Sequence, residues 1–390
     1  MTSRQLGLQR LNLFIENGLA NYSSKRNYDF GPINRTNIST LSPFIRKRIL
    51  HETEVIKQCL NKYPYQKIEK FIQEVFWRVY WKGWLEGRPV VWKNYKKSLK
   101  KINESDLGIK NEKYIQAING KTGIECFDEW VNDLKKDGYL HNHSRMWFAS
   151  IWIHTLELQW ELGADFFLKH LLDGDPASNT LSWRWVAGIH TKGKMYLADE
   201  NNIKKFTLDR FKPQNKLNQF PKIPEFEFFE FNNKNYNNEI PINKDDVILL
   251  SINNLSYLDE NLQIIKSNKV CLINETNSFS ELQKKFNQES INDYLIFLKS
   301  KSVDCNVFEN YKDFIDFYKK TNLKKIFSFY PSIGYELDHL VNEAKQNNLQ
   351  IIFIYDSLDK LCWKFCSAGF FKFKSMIPKI INELITNFHY

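Results

Sequence analysis

The chain has 390 residues, 43% of them hydrophobic, with eleven Trp and a formal net charge of +10, as expected of a globular protein of two or three domains. No apolar run approaches the length of a membrane span, and the N-terminus MTSRQLGLQR lacks the apolar core of a signal peptide. The six scattered Cys argue against a disulfide framework or an iron–sulfur cluster, so we expect a cytoplasmic protein.

Charge and tryptophan are concentrated in the first part of the chain. Residues 1–220 hold 35 Lys and Arg against 23 Asp and Glu, and ten of the eleven Trp. Residues 221–390 hold 20 basic against 22 acidic residues. A basic, aromatic-rich region favours an anionic partner, either nucleic acid or a phosphate-bearing cofactor. A basic surface that serves only solubility is the alternative.

Residues 7–200 show amphipathic helical patterns separated by short Gly, Pro and Asn signals. An early candidate anion site lies within residues 28–50, where hydroxyl side chains precede a basic helical segment that begins near Pro43. An ordinary Ser/Thr helix cap is the alternative there. The hydroxyl side chains are those of Ser39, Thr40 and Ser42.

Residues 70–92 place Glu74, Trp77, Arg78 and Trp81 at i, i+3, i+4 and i+7, which is one face of a helix. A carboxylate, two indoles and a guanidinium are poor core material, so this face predicts a binding surface. The alternative is a solvated stripe with an ion pair between Glu74 and Arg78.

A third group lies in HNHSRMWFASIWI, residues 141–153, where Asn142, Arg145 and Met146 share a helical face. Arg145 stands at the head of an apolar helix and is expected to need a carboxylate partner. The candidates are Asp173 and Asp175 in the stretch DGDPASNTLSWRW, residues 173–185.

The pattern changes after residue 210. Residues 211–245 are rich in Pro, Asn and charge and read as a linker, in which FEFFEF would pack on a neighbour as a short strand. Beyond it, short apolar runs alternate with helical patterns, which predicts a parallel sheet. The predicted strands lie in 245–251, 270–274, 324–330 and 349–355. No GxGxxG or GxxxxGK[ST] accompanies them.

We therefore predict a multidomain chain: an all-α domain over 1–215, a linker over 216–244 and a small α/β, Rossmann-like domain with a mostly parallel sheet over 245–390. The segment GFFKFK, residues 369–374, forms with Lys379 a small basic, aromatic patch. This patch is either a nucleic-acid contact or a solvated helix start.

Together the front motifs resemble the FAD-binding catalytic domain of the DNA photolyase and cryptochrome family, in that family's own order over roughly residues 7–200. The motifs are ISTLSP, EVFWR, GKTGIECFD, LHNHSRM and DGDPASN followed by WRW. In that family an α/β antenna domain precedes the flavin domain, whereas here an antenna-like α/β pattern follows it. Whether it holds an antenna pigment stays open.

The resemblance implies FAD as the cofactor and no metal. It places Asn179 opposite flavin N5, and Arg145 as the partner of Asp173. The residues that match cofactor-binding positions are Tyr22, Ser39, Thr40, Leu41, Ser42, Arg78, Asn142, Arg145, Asp173, Asp175 and Asn179.

The resemblance also implies damaged DNA as the partner. Glu74 matches the carboxyl that hydrogen-bonds a flipped pyrimidine dimer, Trp77 and Trp185 match the indoles that wall the dimer pocket, and Met146 matches a further contact. His143 stands where dimer-repairing members usually carry Arg, so that contact would be weaker or pH-dependent. The pair His141 and His143 does not clearly reproduce the His pair of the (6-4) branch.

In the family's electron-transfer chain, Trp183 and Trp160 match the inner and middle Trp, while Ala117 fills the outer place. Tyr114, Trp130 or Trp147 would then substitute, or photoreduction would be slow. The leading hypothesis is a light-driven photolyase that repairs cyclobutane pyrimidine dimers. The alternatives are a cryptochrome-like flavin photoreceptor without repair activity and a DNA-binding flavoprotein with dark redox chemistry.

Overall fold

A computed structural model gives the architecture of the chain. The structure describes residues 3–221, 225–236, 240–266, 268–275 and 280–387, with side chains described as far as residue 384. Within these residues, none of the helices is long and apolar enough to cross a membrane.

The first part of the chain is helical, as predicted. It also contains a 3₁₀ turn at Leu19–Asn21 and a π-helical turn at Ile151–Thr155 that continues α9. The helices are α1 (Ser3–Asn17), α2 (Tyr22–Lys25), α3 (Ser42–Arg46), α4 (Glu52–Lys62), α5 (Tyr65–Glu86), α6 (Pro89–Asn103), α7 (Glu112–Ile118), α8 (Glu125–Asp137), α9 (Asn142–Ser150), α10 (Trp160–His170), α11 (Pro176–Val186) and α12 (Glu200–Phe206).

Local sequence explains where these helices begin and end. Helix α11 starts at a Pro after Asp175, whose carboxylate accepts a hydrogen bond from the Ser178 N–H and caps the helix. Helix α8 ends at Gly138, whose left-handed φ of 63° suits a residue without a Cβ. The stretch DGDPASN is therefore first of all a loop followed by a helix start.

The second part holds a five-stranded, wholly parallel sheet in the order β3-β2-β1-β4-β5. All four predicted strands are present, and β3 is an addition. Its residues CNVF are only half buried at the sheet edge, so they lack the apolar run that marks the others. The strands are β1 (Val247–Leu250), β2 (Lys269–Ile273), β3 (Cys305–Phe308), β4 (Ile326–Phe329) and β5 (Ile351–Ile354).

Helices connect and cover these strands, as parallel pairing requires. The helices of this part are α13 (Asp259–Ile265), α14 (Glu281–Ser300), α15 (Tyr311–Lys319), α16 (Tyr335–Gln346), α17 (Ser357–Trp363), α18 (Phe370–Lys374) and α19 (Ile377–Asn387).

The described residues between the two parts form neither helix nor strand. The short strand expected for FEFFEF does not form, because its backbone bonds to side chains and turns rather than to a sheet edge. Arg88 Nε donates to the Phe229 carbonyl at 3.0 Å, and the Asn232 N–H donates to the Gly87 carbonyl at 2.8 Å. FEFFEF thus lies along the junction between α5 and α6.

One hydrophobic core runs across both parts. It joins apolar side chains of α1, α4 and α5 to those of β1, β2, β4 and helices α17 to α19, while a second core holds α6 to α12 together. A buried ionic network follows the same seam: Arg48 bonds to Asp356 at 2.9 Å and to Asp359 at 2.7 Å. The front helices and the sheet are therefore packed as partners.

Candidate functional site

Helix α5 carries the predicted binding face, but its charges pair across the fold. Arg26 binds Glu74 from the loop after α2, and Arg78 binds Asp175. Glu74 and Arg78 therefore do not pair with each other along the helix, and each instead pairs with a residue from another part of the fold. Burial raises the pKa of Glu74, and the positive charges of Arg26 and Lys70 only partly offset the rise.

The loop at residues 173–175 is held by three arginines. Arg145 Nη2 donates to Asp173 Oδ2 at 2.9 Å, which is one of the two pairings that the sequence left open and the one that the family resemblance implies. Arg78 reaches Asp175, and Arg46 Nε donates to the Gly174 carbonyl at 2.7 Å. Three guanidinium groups therefore contact this loop, and the buried carboxyl of Glu336 offsets part of the charge of Arg46.

The carboxylate of Asp173 stays ionised in this setting. Burial opposes its ionisation, but Arg145 and Arg78 outweigh burial and hold the pKa of this carboxyl below its ordinary value. Conversely, Asp173 raises the pKa of Arg145 against the effect of burial. The two groups therefore form a stable buried ion pair rather than an acid–base pair.

The first turns of α11 add polar groups beside this loop. Asn179 is buried, and its Nδ2 donates to the Ala164 carbonyl at 2.8 Å, which leaves the amide oxygen as the acceptor end. Ser178 Oγ and Thr180 Oγ1 are buried without a hydrogen-bond partner among the described residues. Such unpartnered hydroxyls beside a loop held by three guanidinium groups fit a bound hydrogen-bonding group.

The predicted phosphate loop is a tight turn leading into α3. Thr40 adopts a left-handed φ of 49°, and Ser39 Oγ accepts from the Leu41 N–H at 3.4 Å. Leu41 is fully buried in the core, so its side chain supports the turn. Ser42 is the first residue of α3. Tyr22 is edge-on to Phe71, with Glu74 and Arg26 as charged neighbours.

Helix α9 brings the other predicted contacts to the loop at residues 26–29. His143 Nδ1 bonds to the Asn27 carbonyl at 2.9 Å, and burial lowers the pKa of this imidazole. His143 is therefore neutral at neutral pH and is engaged by the chain. Asn142 is exposed and contacts Met146 through its Nδ2, 3.8 Å from the sulfur.

The predicted lesion-facing indoles both have ring partners from the chain. Trp77 stacks on Phe370 of α18, with ring centroids 3.5 Å apart and planes 12° apart. Trp185 stacks on Tyr196 with centroids 5.7 Å apart. The sequence gives no signal for the contact with Phe370, because the two residues lie almost 300 positions apart and meet only in the tertiary packing.

The two tryptophans of WRW have different neighbours. Trp183 is buried against Gly163, where an added Cβ would lie 2.2 Å from the indole, and its ring lies 6.1 Å from that of Trp152. Trp152 in turn lies 5.9 Å from Tyr114. Trp160 packs on Tyr95 at 5.5 Å. Sequence reasoning missed Trp152, because nothing in its spacing distinguishes it from a core residue.

The remaining residues considered for the outer electron-transfer place lie apart from that row. Trp130 and Trp147 stack on each other with centroids 5.7 Å apart, and Ala117 is fully buried. Of the three substitutes, Tyr114 is the one that ring contacts among the described residues connect to Trp183, by way of Trp152.

A cavity of about 410 Å³ lies between the two parts of the chain. It opens at the carboxyl ends of β1 and β4, where the strand order reverses and parallel sheets commonly bind ligands. The loop at residues 173–175 forms part of its wall. Representative lining residues are Arg46, Gly174, Pro176, Asn253, Ser332 and Glu336. Among the described residues, no cluster of three or more His, Cys, Asp or Glu could hold a metal ion.

This fold and site define a helical cofactor-binding domain joined to a parallel α/β unit. Residues 71–216 match the family model described as the FAD binding domain of DNA photolyase. Over these residues the chain is similar to the FAD-binding domain of the DNA photolyase family, and FAD is the cofactor that such a domain binds. The match begins after Tyr22 and the residues of the predicted phosphate loop, so it does not extend to them.

Curated relatives show the same likeness over part of their length. A deoxyribodipyrimidine photo-lyase of Alkalihalophilus pseudofirmus is 28% identical over 202 residues, which are 50% of this chain and 40% of the relative. One of Streptomyces griseus is 32% identical over 155 residues, which are 39% and 32% of the two chains. The chain thus spans less than half the length of these relatives.

Among solved structures, a bacterial class III photolyase from Agrobacterium tumefaciens superposes with a TM-score of 0.44 at 25% identity, covering 52% of this chain and 42% of that one.

Proposed function

We propose that the chain is an FAD-dependent, blue-light-driven DNA photolyase that splits cyclobutane pyrimidine dimers. The observation that carries the proposal is the arrangement on α5. Glu74 and Trp77, the predicted lesion contacts, lie within one turn of Arg78, which binds the acidic loop predicted to hold the cofactor. When bound and reduced, FAD would supply the light-driven electron that opens the cyclobutane ring.

In this proposal the arginines and hydroxyls around residues 173–180 bind FAD. Arg145 and Arg78 keep the two carboxylates in place, and the Asn179 amide presents its oxygen as an acceptor for the flavin N5–H. An amide offers no acidic proton, so it would not titrate near the ring. Tyr22, Ser42 and Asn142 would complete the cofactor contacts.

Damaged DNA is the proposed substrate, bound by stacking and one carboxyl group. Glu74 would hydrogen-bond the flipped dimer through the carboxylate that pairs with Arg26 in this structure. Trp185 and Trp77 would wall the dimer, with Met146 as a further contact. His143 would contribute packing rather than charge, because it is neutral at neutral pH.

The test is blue-light repair of a dimer-containing oligonucleotide by the reduced, FAD-loaded protein. Glu74→Gln should lower the repair rate by about 10- to 100-fold, the value of a charge-assisted hydrogen bond. Glu281→Gln, on the exposed start of α14, is the control and should repair like the parent. Absence of repair on both single- and double-stranded DNA by the parent protein would refute the proposal.

A second candidate, a cryptochrome-like photoreceptor without repair activity, is favoured by one observation. Phe370 covers one face of Trp77, and Arg26 occupies Glu74, so both predicted lesion contacts already have partners within the chain. This candidate predicts a light-dependent change of partner binding that survives Glu74→Ala. Loss of that response in the variant would argue against it.

Electron supply to the site is proposed to run through the tryptophans. Trp183 and Trp160 are the predicted relay, and the ring contacts offer Trp152 and Tyr114 as a second route from Trp183 toward the surface. The rate of flavin photoreduction in Trp152→Phe and Trp160→Phe distinguishes the two routes. The rate should fall in the variant that interrupts the route in use. Trp130→Phe is the control because its ring stacks on Trp147 instead.

We further propose that residues 245–390 are an antenna-type domain following a linker over 216–244, and that the protein is cytoplasmic. The cavity beside residues 173–175 supports a pigment role because it lies against the proposed cofactor loop. An absorption spectrum of the purified protein tests this: flavin bands with an added near-UV band support a pigment, and flavin bands alone oppose one.

A further inference from the structure

The segment from residue 360 to 382 differs in charge from the rest of the α/β part. It contains five Lys and no Asp or Glu, although residues 221–390 as a whole carry 20 basic and 22 acidic residues. This basic segment comprises the end of α17, all of α18 and the start of α19. A local reversal of charge of this kind indicates a surface that meets an anion.

The basic segment also exposes an aromatic ring. Phe371 is 82% exposed, whereas its neighbours Phe370 and Phe373 are buried. Lys364, Lys372 and Lys379 are exposed as well, and none of them makes an ion pair with the side chains that the structure describes. Lys374 is the exception, 3.6 Å from Glu69. The outward side of α18 is thus an apolar ring among cationic side chains.

Contacts with α5 fix α18 beside the proposed lesion site. Phe370 stacks on Trp77, Tyr80 Oη donates to the Ala368 carbonyl at 2.9 Å, and Arg88 Nη2 donates to the Ser367 carbonyl at 2.7 Å. Through these three contacts, α18 packs directly against the helical first part of the chain. Phe371 therefore stands next to the face where Glu74 and Trp77 lie.

We propose that α18 and its flanking turns are a nucleic-acid-binding surface, in which Phe371 stacks on an unpaired base and Lys364, Lys372 and Lys379 contact phosphates. Base–aromatic stacking and phosphate neutralisation are the two contributions that bind single strands without sequence preference. The inference rests on the proposed function in taking DNA as the partner. It adds that the α/β part, and not only the flavin domain, binds the DNA strand.

A membrane surface fits this patch less well. Binding to a bilayer needs an amphipathic helix with a broad apolar face, whereas α18 has five residues and presents one exposed apolar side chain. A single exposed ring offers a stacking surface for one base, and the exposed lysines of the same segment offer charges for phosphates.

The test uses the full, FAD-loaded chain in the dark and a fluorescently labelled single-stranded DNA of about 16 nucleotides, a site size typical of such proteins. Phe371→Ala should weaken binding by about 5- to 100-fold, the loss of one stacked base. Lys372→Gln should reduce the slope of log affinity against log salt by about 0.7, the value for one phosphate contact on a single strand.

Matched controls come from α14, where Ile296 and Lys299 are also exposed. Ile296→Ala and Lys299→Gln should bind DNA like the parent, and unchanged melting temperatures should show that all four variants fold. Unchanged binding in Phe371→Ala would overturn the inference, as would a parent that binds anionic phosphatidylserine vesicles but not DNA.

Failure of this inference differs from failure of the proposed function. Dimer repair by the parent, together with unchanged DNA binding in Phe371→Ala, would leave the photolyase standing and remove α18 from its interface. Reduced binding in Phe371→Ala without repair by the parent would keep the surface and refute the photolyase.

Discussion

Several residues of the proposed flavin site have a structural role before any cofactor binds. Asp175 caps α11 and holds Arg78, and Asp173 neutralises the otherwise unpaired Arg145 at the head of α9. Because removal of either partner leaves a buried charge uncompensated, these positions tolerate little change for reasons of stability alone.

Asp173→Asn tests how much this ion pair contributes. The change leaves Arg145 without its counter-charge, so we expect the free energy of unfolding to fall by about 2–4 kcal/mol and the bound FAD fraction to drop. Chemical denaturation and the flavin-to-protein absorbance ratio measure both. Asp245→Asn breaks a surface pair with Lys324 and should change neither quantity measurably. Unaltered stability in Asp173→Asn would contradict the assignment.

His141 makes the fold sensitive to acid. Its Nδ1 accepts from the His143 N–H and caps α9, while Nε2 bonds to the Arg26 carbonyl at 3.0 Å, an arrangement that suits only the neutral ring. Burial lowers the pKa of His141 to about 4, and the nearby carboxylate of Asp29 only partly opposes this.

Because the unfolded chain takes up this proton first, the contribution of His141 to stability is present at pH 7 and declines as the pH falls toward 4. His141→Asn keeps a capping oxygen and does not titrate. Between pH 7 and pH 5, we expect the free energy of unfolding to fall by about 1–2 kcal/mol less in the variant than in the parent. Melting temperatures at both pH values give the comparison, and parallel curves would contradict the prediction.

At the scale of elements, α5 organises the molecule. One side contacts α17 and α18 of the α/β part, and another presents Arg78 to the loop before α11. The close approach to α17 depends on Gly83, where an added Cβ would lie 2.5 Å from Trp363 and 2.6 Å from the Cys366 sulfur. The crossing of these helices therefore requires a residue without a side chain.

Gly83→Ala should force the two helices apart. We expect a loss of about 1–3 kcal/mol in the free energy of unfolding, as for other overpacked cores, and a lower melting temperature. Gly369→Ala is the matched control, because nothing lies within 4 Å of its added Cβ and its φ of −65° suits alanine. Equal melting temperatures for the two variants would show that the α5–α17 contact yields easily.

At the scale of the whole molecule, the front helices and the sheet share one core. Apolar side chains of α1, α4 and α5 are covered by β1, β4 and α17, and the charges of Arg48 and Asp356 are buried between them. A helical part cut away from the sheet would expose this apolar surface, and Arg48 would lose Asp356 and Asp359 as partners and keep only Glu52.

A chain that stops at residue 244 should therefore fail to fold cooperatively, although it contains the whole segment matched to the FAD binding domain. Circular dichroism on heating measures this, with the 390-residue chain as the control, which should unfold in one transition. A sharp transition in the shorter chain, with bound FAD, would show that the helical part is an independent domain.

The sequence by itself determined the local elements and the chemistry they carry. Apolar runs marked β1, β2, β4 and β5, and the i, i+3, i+4 spacing marked the face of α5. The need of Arg145 for a carboxylate pointed to Asp173 or Asp175, of which Asp173 is the partner. These features depend on backbone periodicity and on the cost of an unpaired charge, which act over a few residues or within one motif.

Only the tertiary structure decided which of these elements meet. The stack of Phe370 on Trp77, the row from Trp183 through Trp152 to Tyr114 and the cavity at the ends of β1 and β4 all join residues that are distant in sequence. Such contacts depend on the packing angles between helices and sheet, which the combined shape of many side chains determines. The residue type at a single position therefore does not predict them.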